Sequence, residues 1–495
     1  MGDFLIQRLT SWHVALLRAV LEAAGRRLEP VLVGGAVRDG CLGRSGSIDL
    51  DVTVPARALA IARDVANRLG GAFVCLDAER GAGRVIVDGQ QLDMSDYRAG
   101  TLEEDLAGRD FTVNALAVSI RTLLASGRAS IIDPTGGLRD LRARRLRVPA
   151  PGVLEQDPAR TLRGVHLEAA LGFRLSPATA RAIAAHAPGL ARVSPERVRD
   201  EVAALLGLAD TERALRRADR LHLLGVVLPE IEPMRGTRQP PPHRFAVLEH
   251  CLRAVGGADL VVARPHALTP LGEELGGHLM EPLGGGFGRG HVLKLAALLH
   301  DVAKPQTRRL VAGRVRFFGH DVLGEASVRA IGERLRLPRA VTTVLARLVR
   351  HHLRPMHLGG AGEVTARARY RFYRDLGPET RDLLLLALVD AAAVRGQSAL
   401  AVWPRAALIR DLLRGWERER QTATAPPLLR GEDVMTHFGL PPGPPVGWLL
   451  GRAREAQDLG LVRTRQEALA YLDSHRAAPY STDRTPGSRG AAGVE

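Results

Sequence analysis

Val31-Leu32-Val33-Gly34-Gly35-Ala36-Val37-Arg38-Asp39, followed ten residues later by Asp49-Leu50-Asp51, decides how this chain is read. Val31 to Val33 is short, apolar and β-branched, as a buried strand requires, and it ends in a pair of glycines. From Ile48 to Val54 the pattern alternates, with Ile48, Leu50, Val52 and Val54 on one face and Asp49, Asp51 and Thr53 on the other. Asp49 and Asp51 are therefore expected side by side. Two adjacent carboxylates repel unless a cation lies between them, and Mg²⁺ suits hard oxygen ligands shared with substrate phosphates. Two such ions activate an attacking hydroxyl and neutralise a leaving pyrophosphate. Gly34 and Gly35 ahead of a helix offer close backbone approach and N–H donors to a triphosphate, and Arg38 adds a charge-assisted bond. A glycine pair alone is usually a turn, and Asp-x-Asp alone a solvated strand face. Together, in this order and spacing, they point to nucleotidyl transfer.

Working outward, residues 5–26 read as an amphipathic helix, with Leu5, Leu9, Trp12, Leu16, Leu17 and Leu21 near helical spacing. Strand-like runs recur at 73–76, 84–87 and 91–94, and a helix is expected at 56–69, giving a small α/β sheet domain that ends near Val148. From about Asp157 the pattern is helical almost to the end. Gln239-Pro240-Pro241-Pro242 marks a boundary. A histidine-studded block runs from 243 to 400, with a glycine-rich insertion at 275–290. No strand precedes Gly284–Gly290, so it reads as a flexible loop and not a phosphate cradle. Residues 424–445 hold a Pro/Gly-rich linker. Thr464-Arg465-Gln466-Glu467 fits a capping box opening a last helix, and 477–495 reads as disordered.

The chain has 495 residues, 45% of them apolar and 25% charged, the balance of a folded globular protein of several domains. The longest apolar run, Leu383 to Val394, is cut by Asp390 and falls short of a bilayer span, so no membrane partner is expected. Cys41, Cys75 and Cys251 are widely spaced and in no metal-ligand pattern, which predicts a reducing, cytoplasmic setting without disulfides. The formal charge is +15, and arginine carries nearly all of the positive charge because Lys294 and Lys304 are the only lysines. A surplus this large points to a polyanionic partner such as nucleic acid. With aromatics at 4%, a base-stacking platform is poorly supported.

With these motifs the sequence resembles the tRNA nucleotidyltransferase/poly(A) polymerase family of the DNA polymerase β-like superfamily, nearest its bacterial class II branch, from about residue 28 to 475. Further segments match. Arg109-Asp110-Phe111-Thr112-Val113-Asn114-Ala115 is similar to the family's ribose-recognition segment, which implies Arg109, Asp110 and Asn114 near the ribose. Asp133-Pro134-Thr135-Gly136-Gly137 is similar to its hinge, and Ser194-Pro195-Glu196-Arg197 with Glu201 to its neck helix. Asp157-Pro158-Ala159-Arg160 resembles the amino-acid template that selects the incoming base, with Arg163 one turn on. An acceptor-only Asp and a donor-only Arg match the pairing edges of cytosine and adenine and refuse uracil. Read from spacing alone, Asp157 would be an N-cap before Pro158. The sequence departs from the family at Gln156, Gly108 and His166-Leu167, and Arg98 to Asp105 is short for the loop that helps switch from C to A. The resemblance leaves open whether C, A or both are added.

His250, His300-Asp301 and Asp390 resemble the metal-ligand series of the HD phosphohydrolase superfamily, which implies a second divalent transition metal; His320, His351 and His352 are candidate extra ligands. Arg139, Arg142, Arg144, Arg145 and Arg147 form a basic run that phosphate contact would explain as well as a solvated face. The expected fold is α+β. Residues 1–26 form an N-terminal helix and 27–148 the DNA polymerase β-like nucleotidyltransferase head, with 149–232 a helical, RNA-binding neck. Residues 239–400 form an HD-type helical domain, 405–476 a C-terminal helical region and 477–495 a tail. The expected function is template-independent addition of C and/or A to a tRNA 3′ end from CTP and ATP. The rivals are a poly(A) polymerase tailing RNA and an HD phosphohydrolase with an RNA-binding head.

Overall fold

The structure, a computed structural model, describes residues 2–44, 49–360, 363–421 and 426–475. The head is built on an eight-stranded mixed sheet in the order β1-β8-β7-β2-β3-β6-β5-β4. The strands are β1 (Asp3–Leu5), β2 (Val31–Val33), β3 (Leu50–Val54), β4 (Ala72–Asp77), β5 (Ala82–Val87), β6 (Gln90–Asp96), β7 (Ala117–Ser119) and β8 (Arg128–Ile132). β2 is central because every residue in it is apolar and buried. Leu32 faces the main core beneath helix α1 (Ser11–Ala24), while Val31 and Val33 face a smaller cluster with Leu106, Ala115 and Ala117. β2 lies antiparallel to β3, and β3 lies parallel to β6.

The N-terminal segment differs from the single helix expected over 5–26. Thr10 Oγ1 accepts from His13 N at 3.2 Å and starts α1 only at Ser11. Asp3–Leu5 instead pairs with β8, so these residues belong to the head sheet and form no separate element. Helix α2 (Gly35–Cys41) follows β2 directly, and α3 (Ala58–Leu69) buries Ile61, Ala62, Val65 and Ala66.

Beyond the head the chain is mainly helical, with three exceptions to the expected pattern. Arg145–Leu146 and Arg174–Leu175 pair as short parallel strands. The Gly-rich segment expected as a loop forms a hairpin, Pro282–Gly284 with Phe287–Gly288. Gly284, Gly285 and Gly286 all have positive φ and make its turn, and Gly290 lies inside the helix Arg289–Leu299. A second hairpin pairs Arg308–Val311 with Arg314–Phe317. The linker expected over 424–445 is partly helical, since Gly431–Phe438 is a helix and Pro444 opens the next; 424 and 425 lie outside the described residues. Residues 428–472 have a small core of their own around Val434, Leu449 and Ala456. Thr464 does cap the last helix by accepting from Glu467 N, but the Glu467 carboxylate returns to Arg463 N rather than to Thr464 N. The expected tail, 477–495, lies outside the described residues.

Candidate active site

The end of β2 sets the site. Gly34 has φ +74°, and an ideal Cβ built on it would lie 2.7 Å from Asp51 Oδ2. Two physical reasons therefore demand glycine: the left-handed backbone and the carboxylate standing over the turn. In register, Asp51 lies opposite Val33 on one side and Asp93 on the other. Asp51 is half-buried, and its pKa is raised to about 6. Burial is the main cause, Arg109 opposes it, and the charges of Asp93, Asp110 and Asp49 add to it. This excess of negative charge at a glycine turn fits a hard cation.

Asp49 is placed differently from expectation. The strand begins at Leu50, so Asp49 stands just before it, exposed and outside the residues lining the cleft. Its charge still acts on Asp51 and Arg84. Ile48, expected to open the strand, lies outside the described residues. Asp93 was not singled out from sequence. It alternates with buried Leu92 and Met94 on β6, lines the cleft beside Asp51, and is held by Arg84 through bonds of 2.7 and 2.8 Å.

A cleft of about 530 Å³ opens in front of these groups. One wall is a continuous polar network. Arg38 Nη1 donates to Asn114 Oδ1 at 2.7 Å, and Arg38 Nε and Nη2 both donate to Asp39 at 2.8 Å. Asn114 Nδ2 donates to both oxygens of Asp110 at 3.1 and 3.2 Å, and Phe111 N donates to Asp110 at 2.7 Å. Arg38, Asp110 and Asn114 are thus brought together as one unit. Buried Arg109 is tied to Asp105 at 3.2 Å, at the end of α4 (Leu102–Ala107).

Asp157, Arg160 and Arg163 line the same cleft, and Arg163 Nη1 lies 4.0 Å from Asp110 Oδ2, so this group adjoins the network. The N-cap reading of Asp157 is excluded, because Pro158 occupies the cap and no side chain bonds there. Asp157 Oδ2 accepts from Arg197 at 2.8 Å and lies 3.4 Å from Arg160 Nε, while Oδ1 is buried with no hydrogen-bond partner among the described residues. Arg160 Nη1 is fixed by the carbonyls of Gly108 and Val153 at 2.9 and 3.3 Å. Arg163 Nε donates to Glu201 at 2.8 Å. Arg197 and Glu201 sit one turn apart on the helix Pro195–Leu206, so that helix grips both sides of the pair. Burial works to raise the Asp157 pKa, but the bond from Arg197 and the charges of Arg197, Arg160 and Arg163 hold it below its usual value.

The hinge segment is structural. Asp133 accepts from Gly137 N and Leu138 N at 2.7 and 2.9 Å, and a Cβ on Gly137 would meet Thr112 O at 2.1 Å. Part of the basic run beside it also has a structural role: Arg145 and Arg147 bind the fully buried Asp140 at 2.7 and 2.9 Å while staying partly exposed.

The histidine block forms a second site. His250 Nε2 lies 3.0 Å from Asp390 Oδ1 and 3.3 Å from His300 Nε2. Asp301 Oδ1 lies 3.5 Å from His320 and 3.6 Å from His352. His250, His300 and Asp390 form one group within ligand reach, and Asp301, His320 and His352 another. Asp301 Oδ1 and His250 Nδ1 are buried without hydrogen-bond partners, and this donor set fits a divalent transition metal. Two expectations are corrected. His351 lies outside both groups, and Cys251, read as belonging to no metal pattern, is buried within reach of His300 and Asp301. Lys304, also not anticipated, holds Asp301 Oδ2 at 2.6 Å.

Comparison with known proteins agrees with this layout. The family described as "Poly A polymerase head domain" matches residues 31–147, "Probable RNA and SrmB-binding site of polymerase A" matches 172–235, and "HD domain" matches 266–393, downstream of His250. The chain is 37% identical to an A-adding tRNA nucleotidyltransferase of Deinococcus radiodurans, over 92% of this chain and 96% of that protein. It is 38% identical to a CC-adding tRNA nucleotidyltransferase of Thermus thermophilus, over 89% and 92%. The Thermotoga maritima CCA-adding enzyme solved in complex with tRNA has the same fold, with a TM-score of 0.61 at 19% identity, over 96% of this chain and 100% of that one. Sequence, site geometry and full-length relatives converge, and the chain belongs to the tRNA nucleotidyltransferase/poly(A) polymerase family.

Proposed function

We propose that this protein is a tRNA nucleotidyltransferase that adds C, A or both to the RNA 3′ end from CTP and ATP, releasing pyrophosphate. The observation that carries the reading is the Asp51 carboxylate standing over the Gly34 turn in a cleft that Asp157, Arg160 and Arg163 also line. Asp51, with Asp49 at the entrance of the strand near enough for its charge to act on Asp51, would hold Mg²⁺, which when bound neutralises phosphate charge and lowers the pKa of an attacking hydroxyl. Backbone N–H groups at Gly34 and Gly35 face the triphosphate. Arg38 is pre-aimed by Asp39 and Asn114, so little ordering remains when it meets phosphate. Arg109, Asp110 and Asn114 border the ribose.

Asp157 Oδ1 accepts from the amino group of cytosine or adenine, and Arg160, with Arg163 assisting, supplies donors to the ring nitrogen. Uracil offers no donor at the amino position and leaves Asp157 Oδ1 without a partner. The RNA 3′-oxygen then attacks the α-phosphorus in line: its bond to phosphorus forms as the bond to pyrophosphate breaks. Catalysis rests on positioning and charge neutralisation. The test is incubation with tRNA lacking CCA, tRNA ending in CC, and an unrelated RNA. Extension confined to one or both tRNAs and stopping at or before the CCA end supports the reading, with the products showing whether C, A or both are added, and open-ended tails on every RNA would make the enzyme a poly(A) polymerase.

A second activity is supported by the paired histidine–aspartate groups, with Asp301 in contact with both. His250, His300, Asp301 and Asp390, with His320 and His352, would hold divalent metal and hydrolyse a phosphate ester. Metal-dependent release of phosphate, lost in His300→Ala while nucleotide incorporation persists, tests it.

A further inference from the structure

The hairpin Arg308–Val311/Arg314–Phe317 is unexplained by either activity. Its register pairs Arg309 with Arg316 and Val311 with Arg314. Paired residues share a face of a two-stranded ribbon, so Arg309, Arg314 and Arg316 project from one side. All three are exposed, and among the described residues none has a carboxylate within ion-pair distance. Several arginines on the helices that follow are paired instead. Arg329 is paired with Glu325, Arg334 with Glu230, Arg347 with Glu379 and Arg350 with Asp321. Apolar groups beside the ribbon are also open to solvent: Leu310 is 71% and Phe318 67% exposed. The base of the ribbon is fastened to the histidine–aspartate groups. Lys304, which binds Asp301, lies 5.6 Å from the Phe317 ring centroid, and the His320 ring bonds the Phe317 carbonyl through Nδ1 at 2.6 Å.

Uncompensated arginines in register, next to an exposed aromatic ring, match a strand of RNA: guanidinium groups for successive phosphates and a ring on which a base stacks. We propose that this ribbon is an RNA-binding arm that grips a single-stranded RNA segment beside the histidine–aspartate site. The proposal rests on the reading of RNA as the substrate but places a contact that the head does not need for chemistry.

The test is equilibrium binding of the full chain to a short single-stranded RNA and to tRNA lacking CCA, across a salt series. The triple variant R309E/R314E/R316E should weaken single-stranded RNA binding on the order of ten-fold or more at low salt. It should also make the log–log salt dependence shallower by about 2, from roughly 0.7 per phosphate contact. The triple Arg→Lys variant, which keeps the charges, should retain the slope. Phe318→Ala should weaken oligonucleotide binding at least about five-fold. CTP binding in the head, unchanged in all of them, shows that the fold is intact; should the charge reversal disturb it, the triple Arg→Gln variant reads the same slope. Unaltered affinity and unaltered slope overturn the proposal. Because binding is the readout, that result is distinct from a failure of nucleotide incorporation.

Discussion

Asp51→Asn should make the metal-free protein more stable while abolishing nucleotide transfer. Asp51 is ionised at neutral pH only at a cost, because burial and the charges of Asp93, Asp110 and Asp49 raise its pKa to about 6 from an ordinary 3.8. That gap corresponds to at most about 3 kcal/mol, and roughly half of it once water in the cleft screens the charge. The sign follows from proton linkage. Between 3.8 and about 6 the folded state binds the proton more tightly than the unfolded state, so stability falls as pH rises through this window and is level above it. Asn has no such titration. Metal-free wild type should therefore lose roughly 1–3 kcal/mol relative to Asp51→Asn between pH 4 and 6.5. The assay is thermal unfolding of the head transition of both proteins, with chelator, across this range. Added Mg²⁺ should then raise the wild-type midpoint and leave Asp51→Asn unmoved, since a ligand stabilises only the state that binds it. A variant less stable than wild type at pH 7, or equal responses to Mg²⁺, would refute the reasoning.

Four other outcomes are expected. Asp157→Asn puts an amide where an acceptor is needed, so competition between CTP and UTP should show selectivity falling roughly ten- to hundred-fold; Arg197→Met, which frees the other Asp157 oxygen, should erode selectivity in the same direction with a smaller effect on kcat. His300→Ala should remove metal-dependent phosphate release and leave tRNA extension within about two-fold of wild type, because it lies in a separate site from the cleft. Asp140→Asn should cost about 3 kcal/mol or more by denaturant unfolding, since it strands Arg145, Arg147 and Thr112 around a fully buried position.

Much of the head was legible because its signals are local. The β2 apolar run, the glycine pair and the β3 alternation each follow from side-chain periodicity, and Asp51 faces the glycine turn as that pattern requires. What escaped depends on contacts distant in sequence. Asp93 joins Asp51 only through the parallel β3–β6 register, although its alternation with Leu92 and Met94 was there to be read. Arg197 was visible as part of a neck motif, but its bond to Asp157 spans forty residues of chain. Spacing alone reads Asp157 as a cap, and only the fold puts it in the lining of the cleft, bonded to Arg197. Short strands such as Asp3–Leu5 and Ala117–Ser119 carry too few residues to display a period, and pairing partners define them. The histidine series was readable as an ordered set; which of His351 and His352 joins it depends on where helix Arg339–His351 ends, because adjacent residues there point in different directions.

In the proposed reaction Asp51 and the Gly34 turn grip a nucleotide tail through divalent ions while Asp157 reads the base. A crystal structure with CTP and Mn²⁺, examined by anomalous scattering, tests it most directly. The expected result is a manganese peak bonded to Asp51 and the triphosphate over Gly34 and Gly35, with the cytosine amino group on Asp157. Nucleotide bound elsewhere, or manganese found only among the histidines, would contradict it.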